Sequence, residues 1–201
     1  MLGIIDYNMG NLASVYNACH LIDAKATIVK NPEDLKNFNR VILPGVGAYK
    51  DAMEHLIQTG MREAVYEYAK SGKPMIGICL GMQLLFESSE EFGYTKGLGL
   101  IEGKVVKFDK SKMSSDLKIP HMGWNKTVNK DNPLFKNLQN PYLYFVHSYH
   151  VVTDDKYTIA TTNYGYDFVS AVNKDNIFGF QPHPEKSHNN GLKILENFIN
   201  L

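Results

Sequence analysis

Arginine is nearly absent from this chain: among 21 basic residues, only Arg40 and Arg62 carry a guanidinium. The 21 acidic residues cancel the basic ones to a formal net charge of zero. Nucleic-acid binders draw much of their affinity from phosphate neutralisation, so this balance lacks their usual electrostatic footprint, although a local basic patch stays open. Cysteine is just as scarce. Cys19 and Cys79 alone cannot build a disulfide framework, and a reduced, cytoplasmic chain is the expected setting. No apolar run approaches the roughly 20 residues that span a bilayer, and Met1 leads straight into a strand-like run without a leader pattern. Metal-ligand clusters are missing too. His147 and His150 have H-x-x-H spacing, but strand alternation is expected to turn them to opposite faces, so neither a metal nor a cofactor is expected.

What remains is a globular composition, 44% hydrophobic and 21% charged over 201 residues. A chain of this size buries roughly 70% of its unfolded surface, enough for one full core. With no repeat, linker or low-complexity tract, residues 1–201 read as a single domain. The first half alternates short apolar runs (2–5, 26–29, 41–43, 75–78) with amphipathic stretches (11–21, 52–56, 62–70), the pattern of a parallel sheet covered by helices. A further helix must begin at Leu80. The second half shows β-branched and aromatic runs at 104–108, 142–146, 157–162, 167–172 and 177–180, read as antiparallel strands appended to that core, before a closing helix at 190–200. The expected fold is α/β: a central, mostly parallel sheet flanked by helices, with added antiparallel strands.

Chemistry concentrates in three places. Gly77-Ile78-Cys79-Leu80-Gly81 has the G-x-nucleophile-x-G spacing of a strand-to-helix elbow, with sulfur as the nucleophile. Glycines on both flanks let the chain turn that tightly, and the following helix start favours thiolate and offers the Leu80 N–H to an oxyanion. Cys79 as a small buried hydrophobe is the plain alternative; Cys19, without such context, reads as core. Pro182-His183-Pro184-Glu185 supplies a base and a carboxylate to orient it. In an extended chain residues two apart project to the same side, so Glu185 can hold His183, although an exposed polar loop is the bland reading. Pro44-Gly45-Val46-Gly47 follows a strand and can aim backbone N–H groups into a cleft; it fails as a dinucleotide fingerprint.

With these residues in view, the chain resembles the class I (triad) glutamine amidotransferases. Among them it is most similar to the glutaminase subunits that serve histidine biosynthesis. The likeness runs from Asp6-Tyr7-Asn8-Met9-Gly10-Asn11 through the elbow and Pro120-His121-Met122-Gly123-Trp124-Asn125 to Phe180-Gln181-Pro182-His183-Pro184-Glu185-Lys186-Ser187. It implies a Cys79-His183-Glu185 triad that hydrolyses glutamine to glutamate and ammonia through a thioester. It implies oxyanion donors at Leu80 and, after loop adjustment, Val46 or Gly47. Glutamine contacts at Gly47, Gln83, Glu91, His147, Ser148 and Tyr149 follow from the same resemblance. So does a heterodimeric partner, a (β/α)8-barrel cyclase that receives ammonia through its barrel and makes imidazole glycerol phosphate. Asn8, Asn11, Trp124, Tyr144 and Lys186 are the residues expected to meet that barrel, and the Gly45–Gly47 turn is the expected partner-dependent switch. Three rivals stay open at this stage: a paralogue feeding another synthase, such as a sugar-modifying one; a catalytically silent regulatory module; and a cysteine peptidase or thioesterase.

Overall fold

Strands β1 (Leu2–Ile5), β3 (Arg40–Leu43) and β4 (Met75–Ile78) are almost entirely apolar because the sheet is covered on both faces. In the computed structural model, which describes residues 1–201, they pair in parallel with β2 (Ala26–Val29) in the order β2-β1-β3-β4. Val41 and Leu43 enter one core layer and Ile42 the other. The first layer is closed by α2 (Tyr49–Gln58) and α3 (Met61–Lys70), the second by α1 (Leu12–Leu21) and α5 (His188–Ile199). Between β4 and the second half lies the short α4 (Leu80–Leu84). No helix is long and apolar enough to cross a membrane.

The second half comprises β5 (Ser88–Ser89), β6 (Thr95–Lys96), β7 (Lys104–Lys107), β8 (His121–Asn129), β9 (Tyr142–His147), β10 (Tyr149–Val152), β11 (Thr158–Tyr164), β12 (Tyr166–Lys174) and β13 (Ile177–Phe180). Most pair antiparallel, but β13 departs from the expected appended group. It lies parallel to β4, with Phe180 opposite Ile78, and antiparallel to β12. All four of its residues are buried, the signature of a central strand. This insertion sets the end of β13 beside the end of β4, where the elbow lies.

Two further departures concern strands the sequence pattern obscures. The nine-residue β8 was not among the expected strands, because His121-Met122-Gly123-Trp124-Asn125-Lys126-Thr127 is mostly polar or small and only His121 and Thr127 are buried. It pairs antiparallel with β9, Trp124 opposite Tyr144. His147 and His150 do not face opposite sides: both rings pack on Phe108, at centroid distances of 5.2 and 4.8 Å. Alternation requires an unbroken strand, and here β9 ends at His147 while β10 begins at Tyr149 with different partners, β7 and β12.

Candidate active site

Cys79 sits between the last residue of β4 and the first of α4, with φ +54° and ψ −112°. A non-glycine residue rarely adopts positive φ, and such strain collects where the surroundings hold it for a purpose. The hold is visible: Cys79 N donates to Phe180 O at 2.8 Å, and the flanking glycines are in backbone contact with their neighbours. A Cβ at Gly81 would overlap the carbonyl oxygen of Leu43, and one at Gly77 would fall 2.5 Å from the Gly81 oxygen. Absence of a side chain, rather than backbone freedom, is what these positions require. Leu80 N–H opens α4 and has no partner within the helix.

His183 arrives from β13 with its backbone N–H donating to Tyr144 O at 2.8 Å. The segment after it is not extended as the flanking prolines suggest: Pro184–Lys186 form a 3-10 turn. The turn brings Glu185 back instead, so that His183 Nδ1 lies 2.7 Å from Glu185 Oε1 with both side chains buried. Ser187 locks the turn, its hydroxyl donating to His183 O at 2.6 Å and accepting from Tyr144 N at 2.9 Å. His183 Nε2 is buried without a hydrogen-bond partner and lines the same cavity as Cys79.

Burial by itself would push the His183 pKa down. Cys79 beside the ring, with the Glu185 carboxylate behind it, outweighs burial and raises it to about 10. Because this lies above the ordinary value of 6.5, the interaction stabilises the fold fully below that pH and fades as pH rises through about 10. Cys79→Ala removes the largest raising influence, so the His183 midpoint is expected to fall by a unit or more. Ring nitrogen shifts followed against pH read this directly; an unchanged midpoint would eliminate Cys79 as the source.

The cavity, about 320 Å³, is where the residues expected to hold glutamine meet: Gly47, Gln83, Glu91, His147, Ser148 and Tyr149 all border it, beside Val46 and Leu80. Gly47 has φ +99°, and neither its N–H nor that of Val46 is used elsewhere in the fold. Glu91 also serves a structural end: its Oε2 accepts from Tyr49 N at 2.8 Å at the start of α2, and burial pushes its pKa up. The His147 ring is fully engaged, Nδ1 with Tyr149 O and Nε2 with His121, so it brings no free ring nitrogen to the cavity.

Several residues were not singled out from the sequence. Gln181, wholly buried, accepts from Gln83 Nε2 at 3.0 Å and directs its own Nε2 to Cys79 Sγ at 3.8 Å. Its place immediately before Pro182 was the available signal. Tyr7 donates to Pro44 O at 2.9 Å and pins the Pro44–Gly47 turn from beneath. Pro120 and Val146 complete the wall, with Cys79 Sγ 3.9 Å from Val146 O.

A strained cysteine elbow beside a carboxylate-held histidine is shared by several acyl-transfer folds, and comparison with known proteins decides among them. The family model for class-I glutamine amidotransferases matches residues 3–201. The chain belongs to that family. It is 62% identical over 200 residues to the imidazole glycerol phosphate synthase subunit HisH of Sulfurimonas denitrificans, covering 98% of this chain and 97% of that one. It is 50% identical to the protein of the same name from Methanocaldococcus jannaschii, with full coverage of both. Among solved structures, that of PurLQS from Thermotoga maritima is similar in fold, with a TM-score of 0.76 at 20% identity over 99% of this chain and 97% of that chain.

This glutamine amidotransferase carries an exposed aromatic group next to its cavity. Trp124 is half exposed; its ring stacks on His188 at 5.7 Å and meets Tyr144 edge-on at 4.8 Å. Lys186 Nζ lies 5.9 Å from the Tyr144 ring centre, and Lys186 also borders the cavity. Asn8 and Asn11 lie on the β1–α1 loop and are tied locally: Asn8 N donates to Asp6 Oδ1 at 3.0 Å, and Asn11 Oδ1 caps α1 by accepting from Ser14 N.

Proposed function

We propose that this chain is the glutaminase subunit of an imidazole glycerol phosphate synthase, acting as one amidotransferase domain over residues 1–201. The observation that carries the reading is the end-to-end identity, 62% in one case, to relatives bearing that name. In this reading Cys79 Sγ attacks the side-chain carboxamide carbon of glutamine, and the C–N bond breaks as His183 gives its proton to departing ammonia. Water then attacks the thioester with His183 as base, releasing glutamate and restoring the thiol. Glu185 holds the ring through Nδ1. Leu80 N–H, joined by Val46 or Gly47 N–H, receives the oxyanion. Gln83, Glu91, Gly47 and the 147–149 segment hold the amino-acid end.

Hydrolysis alone would waste glutamine, so ammonia passes to a second protein, the (β/α)8-barrel cyclase subunit, in a cytoplasmic heterodimer. The group of exposed Trp124, half-buried Tyr144 and Lys186 is its docking surface, since it is aromatic and reaches the cavity rim through Lys186. Asn8 and Asn11 would meet the barrel from the neighbouring loop. The free N–H groups of the Gly45–Gly47 turn suit a donor that is completed only when partner and ligand are bound.

The test is glutamate release by this chain mixed with the barrel cyclase of its own genome, with and without the ribulosyl-aminoimidazole ligand. Ligand-dependent stimulation of at least about tenfold is expected. Equal rates for the free subunit and the liganded complex would remove the gated pairing while leaving the glutaminase itself intact.

A further inference from the structure

Beyond the cavity wall, the buried rings of His147 and His121 extend a hydrogen-bonded chain that begins at the nucleophile. His147 Nδ1 lies 2.8 Å from Tyr149 O, and His147 Nε2 lies 3.0 Å from His121 Nδ1. His121 Nε2 is 3.0 Å from Asn125 Nδ2, which also donates to Asn163 O at 3.1 Å. The carbonyl at each end determines every proton between. A carbonyl oxygen only accepts, so His147 Nδ1 carries the hydrogen and, in a neutral ring, its Nε2 is bare. His121 Nδ1 must then donate, leaving its own Nε2 to accept from Asn125. Burial pushes His147 down to about 3 and His121 to about 4, so both rings are neutral across ordinary pH. His121 is clamped between Phe145 and Tyr164, nearly parallel to both, at 4.8 and 4.0 Å.

On the cavity side the same logic continues. Tyr149 O accepts a second hydrogen bond, from Gln83 Nε2 at 3.0 Å, and the other hydrogen of that amide goes to Gln181 Oε1. Both Gln83 hydrogens are thereby committed, leaving its Oε1 as the acceptor free for a ligand. Gln181, accepting through Oε1, presents Nε2 to Cys79 Sγ.

We infer that the side chains of His147 and His121 are positioning residues for glutamine. By anchoring Tyr149 O they fix the position from which that carbonyl holds the Gln83 and Gln181 amides, with an acceptor toward the substrate and a donor toward the nucleophile. The inference rests on the glutaminase reading of this cavity.

The experiment is steady-state glutamine hydrolysis by the complex with its cyclase subunit. His121→Phe keeps a flat ring between Phe145 and Tyr164 but leaves His147 Nε2 without a donor. A rise in glutamine KM of about tenfold is expected, with kcat within about threefold of wild type. His121→Asn, which places an N–H near the position of Nδ1, is expected to recover most of that loss. A merely structural role would lower the active fraction, hence apparent kcat, and leave KM alone. Unchanged KM in a His121→Phe protein that unfolds at the wild-type midpoint would overturn the inference, as would failure of the Asn variant to recover. Should His121→Phe not fold, ring-nitrogen spectra of the wild-type protein decide: a proton on His147 Nε2 rather than Nδ1 rules the chain out. A wild-type complex releasing no glutamate would instead defeat the glutaminase reading itself.

Discussion

Replacing Cys79 with alanine is expected to reduce glutamate release by about ten-thousandfold or more, with the fold and partner binding retained. The expectation is large because the proposed reaction passes through a bond to that sulfur, and nothing else in the cavity can form a thioester. His183 and Glu185 would remain in place, being held by Tyr144, Ser187 and the 3-10 turn rather than by the cysteine. Alanine adopts the same positive φ as cysteine, so backbone strain is unchanged, and only the lost contacts of the buried sulfur cost a little stability alongside the loss of activity. Glutamate measured by a coupled assay, with unfolding followed in parallel, separates the two effects. Residual activity above about one part in a hundred would show that Cys79 is not the nucleophile.

Gly81→Ala should be among the most destabilising single-methyl additions in the molecule. The added carbon would overlap Leu43 O, and both are backbone positions, one at the elbow and one at the end of β3. No rotamer relieves that contact; only a shift of β3 against α4 does. A loss of about 3 kcal/mol or more is expected in denaturant unfolding, at the upper end of overpacking costs. Gly72→Ala is the matched control. It has a positive φ, +75°, which Gly81 lacks, but nothing lies within 4 Å of the added carbon, so about 1 kcal/mol of backbone strain is all it should cost. A loss at Gly81 no larger than that at Gly72 would mean that the close approach to Leu43 O does not govern the elbow.

The buried stretches 2–5, 41–43 and 75–78 announced a two-sided parallel sheet in the sequence itself, because a strand covered on both faces must be apolar at every position. The elbow was legible for a related reason: its close backbone contacts admit only glycine at 77 and 81, and that demand shows in the residue types. His183 and Glu185 could be paired from their spacing, but the geometry that joins them is a turn rather than an extended chain. β8 was not legible, since it turns mostly polar or small residues outward and buries only two. The Gln181–Gln83–Tyr149–His147–His121 chain was not legible either. Its members come from β13, α4, β10, β9 and β8 or their immediate ends, and no local pattern records which amide faces which carbonyl.

From its residues alone, then, this protein's parallel sheet, its glycine-flanked cysteine elbow and the spacing of His183 and Glu185 were legible, because each rests on local backbone geometry that constrains residue type. Tertiary structure decided the rest. The insertion of β13 beside β4 brings residues 79 and 183 into one cavity. The break at Ser148 gathers His147 and His150 around one phenylalanine. Hydrogen-bond direction across five elements is set only when carbonyls distant in the chain become neighbours, and sequence spacing carries no information about that.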